Sequence, residues 1–348
     1  MKHINLALQG GGSHGAFTWG VLDALLADKR LHIDGISGTS AGAVNAVALA
    51  HGLAFAQRNG SDPSEEARAA LRRVWEKVQA LGRLGTMQEK LSGMLWGAWP
   101  NTLASIGRTA SAIGGAVSPY QTNPLDINPL RDLLEREIDF DLIAEFDGPK
   151  VFVSATCVST GKAEIFHGQR LSAKAVMASA CLPMLFQAVE IDGRDYWDGG
   201  YVGNPALSPL IRQCESSDIL LVQINPQHAE TPRTADAIID RVNDLTFNAS
   251  LLAQMRTIGF INQLLADGHL KPDGFKTVLL HRIEGGAAMR SLAPATKVST
   301  DPRVIQTLFT LGRDSAGLWL DENYASLGGQ STIDPVRDYG DSMSLLAA

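Results

Sequence analysis

The chain has 348 residues, 45% of them hydrophobic and 19% charged, with a formal net charge of −7. That balance supports a buried core and excludes wholesale disorder. The acidic excess, without any cluster of basic residues, argues against nucleic acid and against electrostatic docking on an anionic membrane.

Residues 4–8 form a short apolar run that ends in glycines, a buried strand. Residues 16–26 are apolar at helical spacing through Phe17, Val21, Leu22 and Leu25. A second strand at 33–37 is followed by small apolar residues over 41–54, a helix packed close behind the turn. Strand, glycine loop, helix, strand, turn, helix is a β-α-β-α start and predicts a parallel sheet with helices on both faces. A charged amphipathic helix is predicted over 67–81. From Gly82 to Asn128 glycines recur without a period around Trp96 and Trp99, too long a stretch for an ordinary loop. It reads either as a lid over a lipid-facing cleft or as a surface excursion. Met87, Met94 and Leu95 add to its apolar character, which suits lipid contact.

Beyond it, a helix begins at Asn128-Pro129, strands are predicted at 151–158 and 163–167, and a short helix at 172–179. A hairpin follows over 188–197, then a core strand over 218–225. One or two helices cover 235–267, a strand 277–283, and one or two helices 301–323. A single domain over 1–328 and a disordered tail over 329–348 complete the organisation. Cys157, Cys181 and Cys214 are sparse and odd in number, which suits a reducing compartment. The N-terminal apolar run is too short for a signal peptide, and no run of about 18 apolar residues exists. The expectation is a cytoplasmic protein, peripheral at membranes at most, without a metal or other cofactor.

The chemistry concentrates in three places. Gly38-Thr39-Ser40-Ala41-Gly42 reads as a nucleophilic serine on a strand-to-helix turn. Gly10-Gly11-Gly12-Ser13-His14-Gly15 reads as a row of backbone N–H groups able to hold an anion. A nucleophile beside an anion cradle is what acyl transfer requires, since attack on a carbonyl creates an oxyanion. The same glycines also match a dinucleotide fingerprint, with Asp34 as the tempting acid, and so leave an oxidoreductase open as the alternative. The base for Ser40 has two candidates. A Ser-His-Asp esterase would use a downstream histidine, with His281 the best placed. Asp198-Gly199-Gly200 offers a carboxylate on a flexible turn instead.

Together these motifs resemble the patatin-like phospholipases. The resemblance rests on Leu6 through Gly15, on Gly38 through Gly42, on Asp198-Gly199-Gly200, on Ala178 through Pro183, and on Asn204-Pro205. It implies a three-layer α/β/α fold with a mainly parallel central sheet. It further implies an acyl hydrolase with Ser40 as nucleophile, Asp198 as its base, and the N–H groups of Gly10, Gly11 and Gly12 as the oxyanion hole. A lipid or ester would be the substrate, met by transient contact with a membrane surface or lipid droplet. The chain departs from the family at His14, where an Arg or Lys is frequent.

Overall fold

The computed structural model describes residues 1–96, 118–123, 126, 128–271, 274–292, 296–297 and 299–341, with backbone alone for 82–96, Thr122 and Asp236. Eight strands form one sheet: β1 (Lys2–Leu8), β2 (Leu31–Gly38), β3 (Lys150–Cys157), β4 (Ala163–Phe166), β5 (Val189–Ile191), β6 (Arg194–Asp198), β7 (Asp218–Gln223) and β8 (Leu279–Glu284). Their order is β5-β6-β3-β2-β1-β7-β8, with β4 also paired to β3. The pairs β3-β2, β2-β1, β1-β7 and β7-β8 are parallel, while β4 and β6 run antiparallel to β3.

The helices are α1 (Gly15–Asp28), α2 (Ala41–Asn59), α3 (Pro63–Trp96), α4 (Pro119–Thr122), α5 (Pro129–Glu137), α6 (Phe140–Glu145), α7 (Ala173–Ser179), α8 (Ser208–Gln213), α9 (Ala235–Ala266), α10 (Gly286–Arg290), α11 (Pro302–Asn323) and α12 (Pro335–Tyr339). Successive strand residues face opposite ways, so one sheet feeds two cores. Leu6, Leu8, Ile36 and Val222 pack against Phe17 of α1, Val47 of α2, Leu71 of α3 and Leu308 of α11. Ala7, Phe152 and Leu221 pack on the other side with Leu210 of α8, Leu251 and Met255 of α9, and Tyr339 of α12. Apolar residues on both faces are what a covered parallel sheet needs, and the result is a three-layer α/β/α architecture.

Two readings of the sequence are corrected. The helix predicted over 67–81 starts at Pro63 and its backbone stays helical to Trp96. An isolated glycine costs a helix only about 1 kcal/mol, and no proline interrupts the segment. The lid reading therefore loses its first third as loop, and 97–117 lies outside the described residues. The tail expected to be disordered from 329 is instead built into the fold as far as Asp341. The Thr332 N–H donates to the Leu280 carbonyl at 3.0 Å. Asp334 caps α12, and Tyr339 is buried with its hydroxyl 3.1 Å from Gln223 Oε1. Short local sequence hid this, because the apolar partners lie on strands a hundred residues away.

Tyr339→Ala should therefore lower the melting temperature by about 3–6 °C, the scale of removing a buried aromatic from a chain this long. An unchanged melting curve would show that α12 contributes nothing to the second core.

Candidate active site

β2 ends at Gly38, and the chain turns at once into α2, with Ser40 at the junction. Ser40 has φ 53° and ψ −121°, a left-handed conformation that costs a non-glycine residue about 1–3 kcal/mol. Its surroundings hold it there. Its N–H donates to Ser179 Oγ at 2.9 Å, its carbonyl accepts from Val44, and Thr39 Oγ1 donates to the Gly203 carbonyl at 2.6 Å. The turn must also lie very close to β1. A Cβ on Gly42 would overlap the Leu8 carbonyl, so only glycine fits. The N-terminus of α2 faces the serine, favouring negative charge there.

The sheet register explains how a carboxylate reaches this turn. Val153 of β3 pairs with Gly38 on one side and Phe166 on the other, while Ala155 pairs with Asp198 and Glu164. β4 keeps one side of β3, so β6 takes the side that β2 vacates at Gly38. Asp198 thus enters just past the end of β2, where Ser40 sits. The Ser40 hydroxyl stands near enough to the Asp198 carboxyl to lower its pKa. Gly200 N–H donates to Asp198 Oδ1 at 2.7 Å, and the Asp198 N–H is held by the Cys181 carbonyl at 2.8 Å. Asp198 is 2% exposed, and burial pushes its pKa up from 3.8 to about 7 against the lowering effect of the Gly200 and Ser40 hydrogen bonds.

The glycine loop lies against the same turn. A Cβ on Gly10 would stand 2.7 Å from the Thr39 carbonyl oxygen and 2.8 Å from Ser40 Cβ. Gly10 itself does not serve as an oxyanion donor. Its N–H is committed to Asn204 Oδ1 at 2.6 Å, and its carbonyl accepts from Asn225 Nδ2 at 2.7 Å. Among the described residues, the N–H groups of Gly11 and Gly12 have no hydrogen-bond partner. Of the three expected N–H groups, that of Gly10 is thus occupied and those of Gly11 and Gly12 are open, with Gly10 as the fixed anchor of the loop. Gly15 opens α1, and Asn45 Nδ2 ties its carbonyl to α2 at 3.0 Å.

Several residues that sequence reasoning passed over hold this geometry. Gln9 Oε1 accepts from the N–H groups of both Ile224 and Asn225, and Gln9 Nε2 donates to Asn248 Oδ1 at 2.9 Å. Lys297 Nζ donates to Asn225 Oδ1 at 3.1 Å and pairs with Asp244 of α9. Gln9, Ser179 and Asn204 lie inside the motifs already noted, which was a usable signal. Asn225, Asp244 and Lys297 have no local signature, since they meet only through the fold. His14 is buried, with Nε2 2.7 Å from Thr296 Oγ1. Burial, then the Lys297 charge, pushes its pKa down to about 4, so at neutral pH it brings no charge to the loop. Cys181, also close to Asp198, is no competing nucleophile, because burial pushes its thiol up to about 12.

Neither His281 nor Asp34 is in position for the role it was a candidate for. His281 is fully buried on β8, three strand steps from β2 and so about 14 Å away across the sheet. Its ring nitrogens bond to Asp218 Oδ1 at 2.9 Å and Thr332 Oγ1 at 3.1 Å. Asp34 lies early in β2, about 13 Å along the strand from the glycine loop. It is occupied by His3 Nδ1 at 2.7 Å and the Ser216 N–H at 2.9 Å, and cannot reach a ribose at the loop. His3, His32 and Asp34 are the group among the described residues whose ligand atoms could gather round a metal, and they sit at the opposite end of the sheet from Ser40.

A strand-end turn that carries a serine beside a buried carboxyl and two open backbone donors is an arrangement suited to acyl transfer. Family comparison agrees: the patatin-like phospholipase family matches residues 6–211, and the chain belongs to that family. It is accordingly a lipid ester hydrolase. No curated protein matches the chain by sequence. Among solved structures it is similar to VipD from Legionella pneumophila, at 15% identity and a TM-score of 0.45, covering 98% of this chain and 73% of that one. It is also similar to the heterodimeric ExoU-SpcU complex of the Pseudomonas aeruginosa type III secretion system, at 17% identity and a TM-score of 0.27, covering 98% and 74%. No helix among the described residues is long and apolar enough to cross a membrane.

The carboxyl of Asp198 is held above its unfolded value, so the folded protein keeps a proton that the unfolded chain has already released. Its burial therefore costs stability progressively as pH rises from about 4 to about 7. Asp198→Asn keeps the shape and removes this cost, so its melting temperature relative to wild type should rise between pH 5 and pH 8. A difference independent of pH would mean that Asp198 is not a buried, proton-retaining carboxyl.

Proposed function

We propose that the chain hydrolyses carboxylic esters of lipids through an acyl-enzyme on Ser40, with Asp198 as the base. The sheet register that brings the buried Asp198 carboxyl beside the strained Ser40 turn supports this reading. As Oγ bonds to the ester carbonyl carbon, its proton passes to Asp198. The carbonyl oxygen takes up the negative charge beside the N–H groups of Gly11 and Gly12 and the N-terminus of α2. Collapse breaks the ester C–O bond, and the Asp198 proton goes to the departing alcohol oxygen. Water then repeats the sequence on the acyl-enzyme, releasing the fatty acid and restoring Ser40.

A free aspartate, ionising near ~3.9, is too weak a base for serine. Raising it to about 7 brings it closer to the pH of operation while leaving a large share ionised. The oxyanion donors supply much of the remaining rate, each of this kind being worth about 10²–10³ in turnover. Among the described residues at the glycine loop, His14 is neutral and Lys297 is paired with Asp244, so neither brings a free cation to a headgroup phosphate.

Ser40→Ala and Asp198→Asn should each lower hydrolysis by at least about 10³-fold with the fold intact, and a fluorophosphonate should label Ser40. Labelling of another residue in active enzyme would overturn the nucleophile. Wild-type activity should rise with pH through about 7 and then level off, since only the ionised carboxylate can take the proton. A profile flat between pH 5 and 8 would remove Asp198 as base. Loss of activity in Asn225→Ala with unchanged KM would identify the amide anchors of Gly10 as supports of the oxyanion loop.

A further inference from the structure

His3 of β1 and His32 of β2 are paired across the first two strands, in the parallel register that also pairs Lys2 with Leu31 and Ile4 with Ile33. Paired residues of neighbouring strands project from the same face, so the two imidazoles stand side by side, with ring centroids 4.5 Å apart. Past Ile33 the register slips. Ile4 pairs with Ile33 but Asn5 with Gly35, which leaves Asp34 as an extra residue on β2 with no partner on β1. A bulge of this kind bends the strand and re-aims a side chain. Here it aims the Asp34 carboxylate at the histidines: Oδ1 lies 2.7 Å from His3 Nδ1 and 3.8 Å from His32 Nε2.

The carboxylate is held in that direction from behind. Its Oδ2 accepts from the Ser216 N–H at 2.9 Å, and the Ser216 hydroxyl donates to the His3 carbonyl at 2.8 Å. Asn5 Nδ2 donates to the Ser216 carbonyl at 2.9 Å. The Asp34 side chain is thus mostly covered, 12% exposed, whereas both imidazoles are more than half open. The neighbouring Lys276 spends its ammonium on the Cys214 and Ser216 carbonyls, 2.9 Å each, rather than on Asp34.

We propose that His3 Nδ1, His32 Nε2 and Asp34 Oδ1 bind a zinc ion, with water completing the shell. The ligand atoms of the three residues lie within 4.8 Å of one another. Tetrahedral zinc, with bonds of about 2.0–2.2 Å, needs its ligand atoms about 3.4 Å apart. The two Asp34 separations fall on either side of that figure, and the open imidazoles can close the remainder by rotation while the carboxylate stays fixed. Two imidazoles and one carboxylate select zinc and its transition-metal neighbours over magnesium or calcium, which prefer oxygen throughout. The hydrogen bond from the Ser216 N–H is the supporting contact that orients such a carboxylate ligand. The site lies at the start of β1 and β2, at least about 13 Å along β2 from the Ser40 turn. The ion would therefore clamp the two strands without touching an ester, and its binding does not depend on the Ser40–Asp198 reading.

The test titrates zinc chloride into the purified chain, freed of any histidine tag, at neutral pH. Calorimetry and melting temperature are the readouts, with His3→Gln, His32→Gln and Asp34→Asn measured alongside and magnesium chloride as the control. Wild type should take up one zinc per chain. Zinc at about a hundredfold over its dissociation constant should raise the melting temperature by about 3–4 °C. Each variant should bind at least about tenfold more weakly, the smaller end of what losing even a supporting group costs. Both histidines are surface residues, so their variants should melt like wild type before zinc is added. Absence of zinc uptake would overturn the proposal. So would zinc bound by both histidine variants as well as by wild type, which would place the ion elsewhere. Half a zinc per chain with a zinc-dependent dimer would put the ion between two copies, against a site within one chain. An equal response to magnesium would show a general effect of divalent charge in place of ligation by imidazole.

Discussion

The candidate site rests on one constraint, the enclosure of the Asp198 carboxyl, 2% exposed, beside the Ser40 turn. Desolvation is what would make that carboxyl useful in the proposed chemistry. In water an aspartate would be a poor proton acceptor for an alcohol. Enclosed at the end of the sheet it holds its proton up to about pH 7, and its affinity for the serine proton rises accordingly. The same desolvation destabilises the folded state at neutral pH. The enclosing structure must therefore be rigid enough to keep water away from the pair.

That rigidity comes from the sheet and from amides. β2 stops at Gly38 and β6 takes over its place beside β3, which brings Asp198 beside the Ser40 turn. Strain at Ser40 is held by Ser179, Thr39 and the packing of Gly42 on β1. The glycine loop is held from both sides. Asn204 and Asn225 occupy the N–H and the carbonyl of Gly10, and Gln9 fixes the strand end from which Asn225 comes. With Gly10 immobilised, the N–H groups of Gly11 and Gly12 are left open on a loop held in place.

α9 links this centre to the outside. Its buried side supplies Leu251 and Met255 to the second core, Asn248 to the amide network, and Asp244 to Lys297. Its open side carries Ile238, Ile239, Val242 and Leu245, each about half exposed.

The strands and the longer helices, the glycine loop, the turn at Ser40 and the turn at Asp198 were legible in the sequence, while the short helices α6, α8, α10 and α12 were not. Each legible feature is a local pattern: periodicity, small residues where backbones approach, and a carboxylate beside glycines that allow a turn. The family resemblance added that these local patterns belong to one site. Partnerships between distant residues were not legible. That Gly10 spends its N–H on Asn204 depends on a contact across 194 positions. The exclusion of His281 depends on which strands lie between it and β2. The ordered end of the chain depends on Gln223 and the second core waiting to receive Tyr339. A sequence by itself determines which backbone conformations are cheap and which side chains seek burial. Only the tertiary structure decides which donor meets which acceptor, and how much water is left between them.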